Sequence, residues 1–126
     1  MSRVTIALPP RSYDAVIENG LLLRAGEKLR NLLVVGRAPS PASAGGHLFV
    51  ITVPPVRRKW GKKLMASLSS AGFSAQILEM PNGERHKRLA TVEKLCEQLS
   101  RRGADRNSII IAFGGGVVGD VAGLMA

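Results

Sequence analysis

The chain has 126 residues, of which 45% are hydrophobic, so it can form one folded domain and is not a disordered chain. Its 18 basic and 9 acidic residues give a net charge of +9, which suits an anionic partner such as a small ligand, an acidic surface or nucleic acid. The apolar runs are shorter than the roughly 20 residues of a membrane span, the start lacks a signal-peptide pattern, and there is one cysteine, so we expect a cytoplasmic protein with no membrane partner.

The first half of the chain predicts two short strands, an amphipathic helix and a loop. The strands are expected at residues 4–8 and 13–17. Apolar positions recur at helical spacing over residues 21–33, although Gly26 lowers the helix propensity there by about 1 kcal/mol. Residues 36–46 are rich in proline, serine, alanine and glycine, which is typical of a loop.

The second half alternates strands with helices. Strands are predicted at residues 48–53, 73–78 and 108–113, and helices at 56–70, from Leu89 to the stop signal at Gly103, and at 120–126. This order predicts an α/β fold, a Rossmann-like parallel sheet with flanking helices, to which the opening strands add an N-terminal β-hairpin. We assign residues 1–126 to one domain and expect it to continue further, because the last helix ends within an apolar run.

A glycine-rich segment follows the clearest strand. Gly114, Gly116 and Gly119 match the pattern G-x-G-x-x-G between a strand and a helix. Glycine lets the backbone approach a pyrophosphate closely, and the helix that follows offers free amides to the anion. A turn required only for packing is the alternative. Asp120 comes next, where it could hold a ribose hydroxyl or simply be stabilised by the helix dipole.

A second polar loop, residues 82–87 (NGERHK), follows the preceding strand. The carboxyl ends of parallel strands share one edge of a sheet, so the two loops are expected at the same edge. There Glu84 could accept hydrogen bonds from a ribose and Lys87 could pair with phosphate. Capping of the following helix is the alternative role for Glu84.

The densest basic run surrounds Trp60 and is interpreted as a solvated helix face; it comprises Arg57, Arg58, Lys59, Lys62 and Lys63. An aromatic content of 4% is low for a protein that stacks bases, so we expect no nucleic-acid partner. His47, His86 and Cys96 are not spaced as metal ligands. We therefore predict no metal site and no catalytic residue in this chain, which suggests half of an active site.

Three segments together identify a family: residues 11–22 (RSYDAVIENGLL), 82–89 (NGERHKRL) and 114–123 (GGGVVGDVAG). They resemble 3-dehydroquinate synthase, a member of the sugar-phosphate cyclase superfamily, in order and in approximate spacing. The resemblance implies an N-terminal domain that binds NAD. Carried onto this sequence, the NAD contacts are Asn82, Gly83, Glu84, Arg85, His86, Lys87, Gly116, Val117, Val118, Gly119 and Asp120.

The resemblance also implies a reaction, the conversion of 3-deoxy-D-arabino-heptulosonate 7-phosphate to 3-dehydroquinate and phosphate. A C-terminal helical domain, absent from this chain, would supply a divalent metal (zinc or cobalt) and most groups that hold the phosphorylated sugar acid. A homodimer is expected for the complete protein. The chain departs from the family where Val53 follows Thr52, since an aspartate or asparagine is common there and contacts the cofactor. Another sugar-phosphate cyclase and a stand-alone nucleotide-binding module remain alternatives.

Overall fold

The computed structural model describes residues 2–34 and 47–126, which include a two-stranded sheet and a three-stranded sheet with helices packed on the latter. Along the chain the elements are β1 (Ser2–Ile6), β2 (Tyr13–Ile17), a 3-10 turn (Leu21–Arg24), α1 (Ala25–Val34), β3 (Leu48–Thr52), α2 (Pro54–Ser70), β4 (Ala75–Glu79), a 3-10 turn (Glu84–His86), α3 (Leu89–Arg101), β5 (Ile109–Phe113) and α4 (Gly116–Met125). The α/β class, the parallel sheet and the N-terminal hairpin are confirmed. The loop predicted at residues 36–46 lies outside the described residues.

The parallel sheet has the strand order β4-β3-β5, so β3 is central. Every residue of β3 is buried, because strands flank both of its edges and helices cover both of its faces. The continuous apolar run at residues 48–53 indicates this position, since strands buried on both faces do not alternate in polarity.

Successive β3 side chains pack into different layers. Phe49 and Ile51 join the cluster that includes α3 and α4, whereas Leu48 and Val50 join the cluster formed with α1 and α2. The helices that follow the neighbouring strands β3 and β5 therefore cover opposite faces of the sheet. In open α/β sheets, the crevice at the carboxyl ends of such a strand pair is where ligands bind.

The hairpin forms an antiparallel sheet of its own, with Ser2 opposite Ile17 and Ile6 opposite Tyr13. Within the described residues it shares no backbone pairing with the parallel sheet. β1 also begins and ends two residues earlier than predicted. Its register ends at the Ile6–Tyr13 pair, ahead of the two prolines.

The predicted helix at residues 21–33 is divided into a 3-10 turn and α1, and Gly26 lies at the start of α1. A Cβ atom at Gly26 would lie 2.2 Å from the backbone oxygen of Ser67 in α2. The Gly26 amide instead donates a hydrogen bond to Ser67 Oγ at 2.9 Å. Glycine is therefore required there because α1 and α2 approach each other closely, and this packing offsets its low helix propensity.

Candidate nucleotide-binding site

Thr52 ties together the carboxyl ends of the three parallel strands. It is 1% exposed, and its Oγ1 donates to the carbonyl oxygen of Phe113, the last residue of β5, at 2.6 Å. Its own carbonyl accepts from the Met80 amide, just after β4, at 2.9 Å. Sequence reasoning missed this residue, although the hydroxyl at the end of an apolar run was a visible signal. Thr52 thus holds the ends of β4 and β5 at the start of both candidate loops.

The start of α4 presents free backbone donors. Gly115 is the N-cap residue and has no side chain to cap the helix. The first helical hydrogen bond runs from the Gly119 amide to the Gly115 carbonyl at 3.1 Å. The amides of Gly116, Val117 and Val118 consequently have no intrahelical acceptor, and the helix dipole adds a partial positive charge there. Such a helix start can bind an anion such as a phosphate group.

The prediction that the last helix begins at residue 120 is wrong, because α4 begins at Gly116. Val118 and Val121 are each 2% exposed and pack into the core beneath the sheet, which stabilises a helical first turn despite the neighbouring glycines. Asp120 accordingly lies in the second helical turn rather than the first. Its carboxylate is therefore set back from the free amides and is available to a neighbouring loop.

The glycines at this turn fall into two groups. A Cβ atom at Gly114 would lie 2.7 Å from Val118 Cγ2, so that glycine is needed for packing. A Cβ atom at Gly115 or Gly116 would meet nothing within 4 Å. The packing explanation for the glycine segment is therefore correct for Gly114 only. Gly115 and Gly116 leave open space in front of the free amides.

The loop at residues 82–87 meets α4 through one ion pair. Lys87 Nζ lies 2.7 Å from Asp120 Oδ2 and 3.8 Å from Glu84 Oε1. Gly83 has a φ of 122°, a conformation that other residues rarely adopt, and it leads into the 3-10 turn of this loop. The two segments predicted separately from the sequence are thus brought together at one edge of the sheet.

The ion pair sets the protonation behaviour of Lys87. A hydrogen bond and the negative charge of Asp120, followed by the charge of Glu84, raise the pKa of Lys87 above its ordinary value of 10.5. Because the pKa is raised, the pair contributes its full stabilisation at pH values below the ordinary lysine pKa. This stabilisation is lost as the pH rises through the raised pKa of Lys87. Because Lys87 and Asp120 are both substantially exposed, the pair is screened by salt.

Among the other residues of this loop, Asn82, Glu84 and Arg85 are exposed, whereas Gly83 and His86 are half-buried. Glu84 does not cap α3, because α3 starts after Arg88 and has no side-chain cap hydrogen bond. Its carboxylate faces Lys87 instead. Arg85 Nε donates to His86 Nε2 at 3.2 Å, and Asn82 is exposed. The carboxylates of Glu84 and Asp120 are free to accept hydrogen bonds from a ligand on their remaining lone pairs.

The basic run lies on α2 and is exposed, which confirms its interpretation as a solvated helix face. Lys59 and Lys63 lie over the Trp60 ring at 5.2 and 5.0 Å from its centroid. Arg57 pairs with Glu79 at 2.6 Å. These contacts join neighbouring side chains on the surface of α2 and at the end of β4.

Within residues 2–34 and 47–126, no three histidine, cysteine, aspartate or glutamate side chains converge as metal ligands. The described residues therefore provide no set of ligands for a divalent metal. In the same part of the chain, no helix is both long and apolar enough to cross a membrane.

Known sequences relate to this chain over its whole length. The family model described as 3-dehydroquinate synthase N-terminal matches residues 77–126, the part that contains both candidate loops. The 3-dehydroquinate synthase of Koribacter versatilis is 44% identical over 126 residues, and that of Gloeobacter violaceus is 41% identical over 126 residues. The chain is thus similar to 3-dehydroquinate synthases. The match includes 100% of this chain but only 32% of each of these two proteins, so the chain spans about a third of the length of the relatives it matches.

Solved structures of sugar-phosphate cyclases share the fold. A 2-deoxy-scyllo-inosose synthase superposes with a TM-score of 0.76 at 23% identity, covering 99% of this chain and 32% of that one. The 2-epi-5-epi-valiolone synthase of Streptomyces hygroscopicus superposes with a TM-score of 0.67 at 27% identity, covering 96% and 30%. The latter structure has NAD+ and Zn2+ bound. The family resemblance predicted from the motifs is confirmed.

Proposed function

We propose that this chain is the NAD-binding portion of a 3-dehydroquinate synthase. The observation that carries the proposal is the Lys87–Asp120 pair, which joins the loop at residues 82–87 to the start of α4 at 2.7 Å. This pair brings the two segments that carry the predicted NAD contacts together at the carboxyl edge of the sheet. That edge is also where the helices after β3 and β5 diverge, the common ligand position in such folds.

The described residues fit a dinucleotide. The free amides of Gly116, Val117 and Val118 would hold its pyrophosphate, and the open space at Gly115 and Gly116 lets the backbone approach it. Lys87 would add a positive charge beside the phosphates. The Glu84 and Asp120 carboxylates would accept hydrogen bonds from ribose hydroxyl groups. When bound, NAD would supply a reversible hydride transfer.

The complete reaction proposed is the conversion of 3-deoxy-D-arabino-heptulosonate 7-phosphate to 3-dehydroquinate and phosphate. This chain would bind and orient the cofactor, while the phosphorylated sugar acid and the zinc or cobalt ion would be held mainly by other parts of a longer protein. We propose that such a protein is a homodimer. The 126 residues alone are expected to be inactive, because they contain no metal-ligand set within the described part.

Sequence identity favours this substrate over that of another cyclase. Relatives that are 3-dehydroquinate synthases reach 36–44% identity, whereas the cyclase structures with other products reach 23–27%. The residues that read the sugar phosphate lie mostly outside this chain, so the distinction requires an assay of the complete protein. There, phosphate release from 3-deoxy-D-arabino-heptulosonate 7-phosphate but not from sedoheptulose 7-phosphate is the expected result.

For the chain itself, calorimetric titration with NAD tests the proposal. We expect saturable binding with one NAD per chain and no release of phosphate from the substrate when zinc or cobalt is added. A matched variant, Asp120→Asn, keeps the side-chain size but removes the charge that holds Lys87, and should bind NAD more weakly. A folded chain that shows no heat of NAD binding would contradict the cofactor assignment. Metal-dependent phosphate release by the chain alone would contradict the expectation of inactivity.

A further inference from the structure

A cavity of about 160 Å³ lies where the end of β4, the loop at residues 82–87 and α3 meet. Its polar and charged lining consists of Glu79, His86, Arg88, Thr91, Lys94 and Gln98. None of the NAD contacts proposed above except His86 belongs to this lining. A water molecule occupies about 30 Å³ of the liquid, so the cavity spans several waters and can hold a tetrahedral oxyanion.

The charges around this cavity favour an anion. Arg88 and Lys94 contribute two positive charges to the lining, and Glu79 contributes its one carboxylate. That carboxylate is already paired with Arg57 on α2, with 2.6 Å between Arg57 Nη1 and Glu79 Oε1. The cations on the α3 side are therefore not neutralised by the acid of their own cavity.

One residue of the lining carries a hydroxyl group that is not used by the fold. Thr91 is 7% exposed and lines the cavity. Within residues 2–34 and 47–126 its side chain makes no hydrogen bond, although its backbone amide bonds to the Arg88 carbonyl at 3.1 Å. The hydroxyl is therefore available to donate a hydrogen bond to a ligand in the cavity.

The cavity also adjoins the N-terminus of α3, a helix of 13 residues. Arg88 is its N-cap residue and provides no side-chain cap. The amides of Leu89 and Ala90 have no intrahelical acceptor, because they belong to the first turn of the helix. Ala90 also lines the cavity. These free donors and the helix dipole suit a phosphate group, which offers several oxygen acceptors and up to two negative charges.

We propose that this cavity is a second anion site, which binds the phosphate group of a small molecule or free inorganic phosphate. Thr91 and the amides at the start of α3 donate hydrogen bonds to the oxygens, and Arg88 and Lys94 balance the charge. The site does not depend on the NAD assignment, because its donors belong to α3 whereas those proposed for the pyrophosphate belong to α4.

Titration of the ¹⁵N-labelled chain with inorganic phosphate, followed by amide chemical shifts, tests this site. Saturable shifts are expected for Leu89, Ala90 and Thr91, with smaller shifts from acetate at the same ionic strength. Glucose 6-phosphate in a parallel titration distinguishes free phosphate from a phosphorylated small molecule, since only an open site admits the sugar. Chemical-shift changes that increase linearly with the concentration of every salt, without saturation, would overturn the proposal. So would a parent chain whose amide signals are not dispersed at any phosphate concentration.

Three variants separate the site from general charge effects. Thr91→Val removes the hydroxyl at nearly constant shape, and Lys94→Gln removes an exposed charge; each should weaken phosphate binding about tenfold. Lys62→Gln makes the same charge change on the exposed face of α2 and should leave phosphate affinity unchanged. Equal losses in Lys94→Gln and Lys62→Gln, or none in Thr91→Val and Lys94→Gln, would show that the cavity is not an anion site.

Discussion

Two glycine-containing helix starts in this molecule have opposite surroundings. At the start of α1, a Cβ atom on Gly26 would lie 2.2 Å from a backbone oxygen of α2, so α2 fills the space that a side chain would need. At the start of α4, a Cβ atom on Gly116 would meet nothing within 4 Å. Packing therefore explains the glycine at the start of α1, whereas it does not explain Gly116, where the open space leaves room for a ligand.

Substitution at the packed glycine should have the largest effect. Gly26→Ala places a methyl group against the Ser67 carbonyl, and a backbone group cannot move aside as a flexible side chain can. We expect a loss of about 3 kcal/mol in the free energy of unfolding, because overpacking at a rigid contact forces the helices apart. Urea denaturation of the two chains measures it. Unchanged stability would show that α1 and α2 are not in close contact in solution.

An intermediate effect is expected at Gly114, where the contact is with a side chain. Gly114→Ala brings a methyl group within 2.7 Å of Val118 Cγ2, and the branched valine side chain has little freedom to turn away. The free energy of unfolding should fall by about 1–2 kcal/mol. The double variant Gly114→Ala with Val118→Ala checks the cause, since removal of the valine methyl groups should abolish the added cost of the alanine. If the two losses simply add, the clash is not their origin.

The smallest effect concerns the ion pair at the open edge. Lys87→Ala should weaken NAD binding about threefold at low salt, since a partly exposed charge contributes modestly. The difference from the parent should shrink in high salt, where ions screen the charge. Titrations with NAD at two ionic strengths measure both quantities. A loss that is independent of salt would mean that Lys87 acts through the shape of its loop rather than through its charge.

Much of the sheet could be predicted from the sequence. The unbroken apolar run of β3 indicated a strand buried on both faces, and the alternation with helices indicated a parallel sheet. The two candidate loops could be placed at one edge by the same topology. Their contact through Lys87 and Asp120 confirmed this placement, although the start of α4 was predicted four residues late. Local propensity reads glycines as a loop, whereas the burial of Val118 and Val121 decides in favour of a helix.

Other features depend on tertiary packing and have no local signal. In the sequence, Gly26 only lowers the helix propensity of its segment, and its role in packing follows from its contact with Ser67. The cavity around Thr91 depends on where β4 ends relative to α3, which no spacing along the chain encodes. Thr52 lies between these cases, because its polarity is visible in the sequence but its bond to Phe113 requires the register of β3 and β5.

The most direct test of the account is a paired measurement on Gly116→Val. Because a Cβ atom at this position meets nothing, the free energy of unfolding should change by no more than about 0.5 kcal/mol. NAD binding should weaken at least tenfold, about 1.4 kcal/mol, because the side chain occupies the space that the pyrophosphate needs. Arg58→Ala, on the exposed face of α2, should match the parent in both measurements. If Gly116→Val binds NAD like the parent while Arg58→Ala loses binding, the nucleotide site is not at the glycine turn, and the account is contradicted.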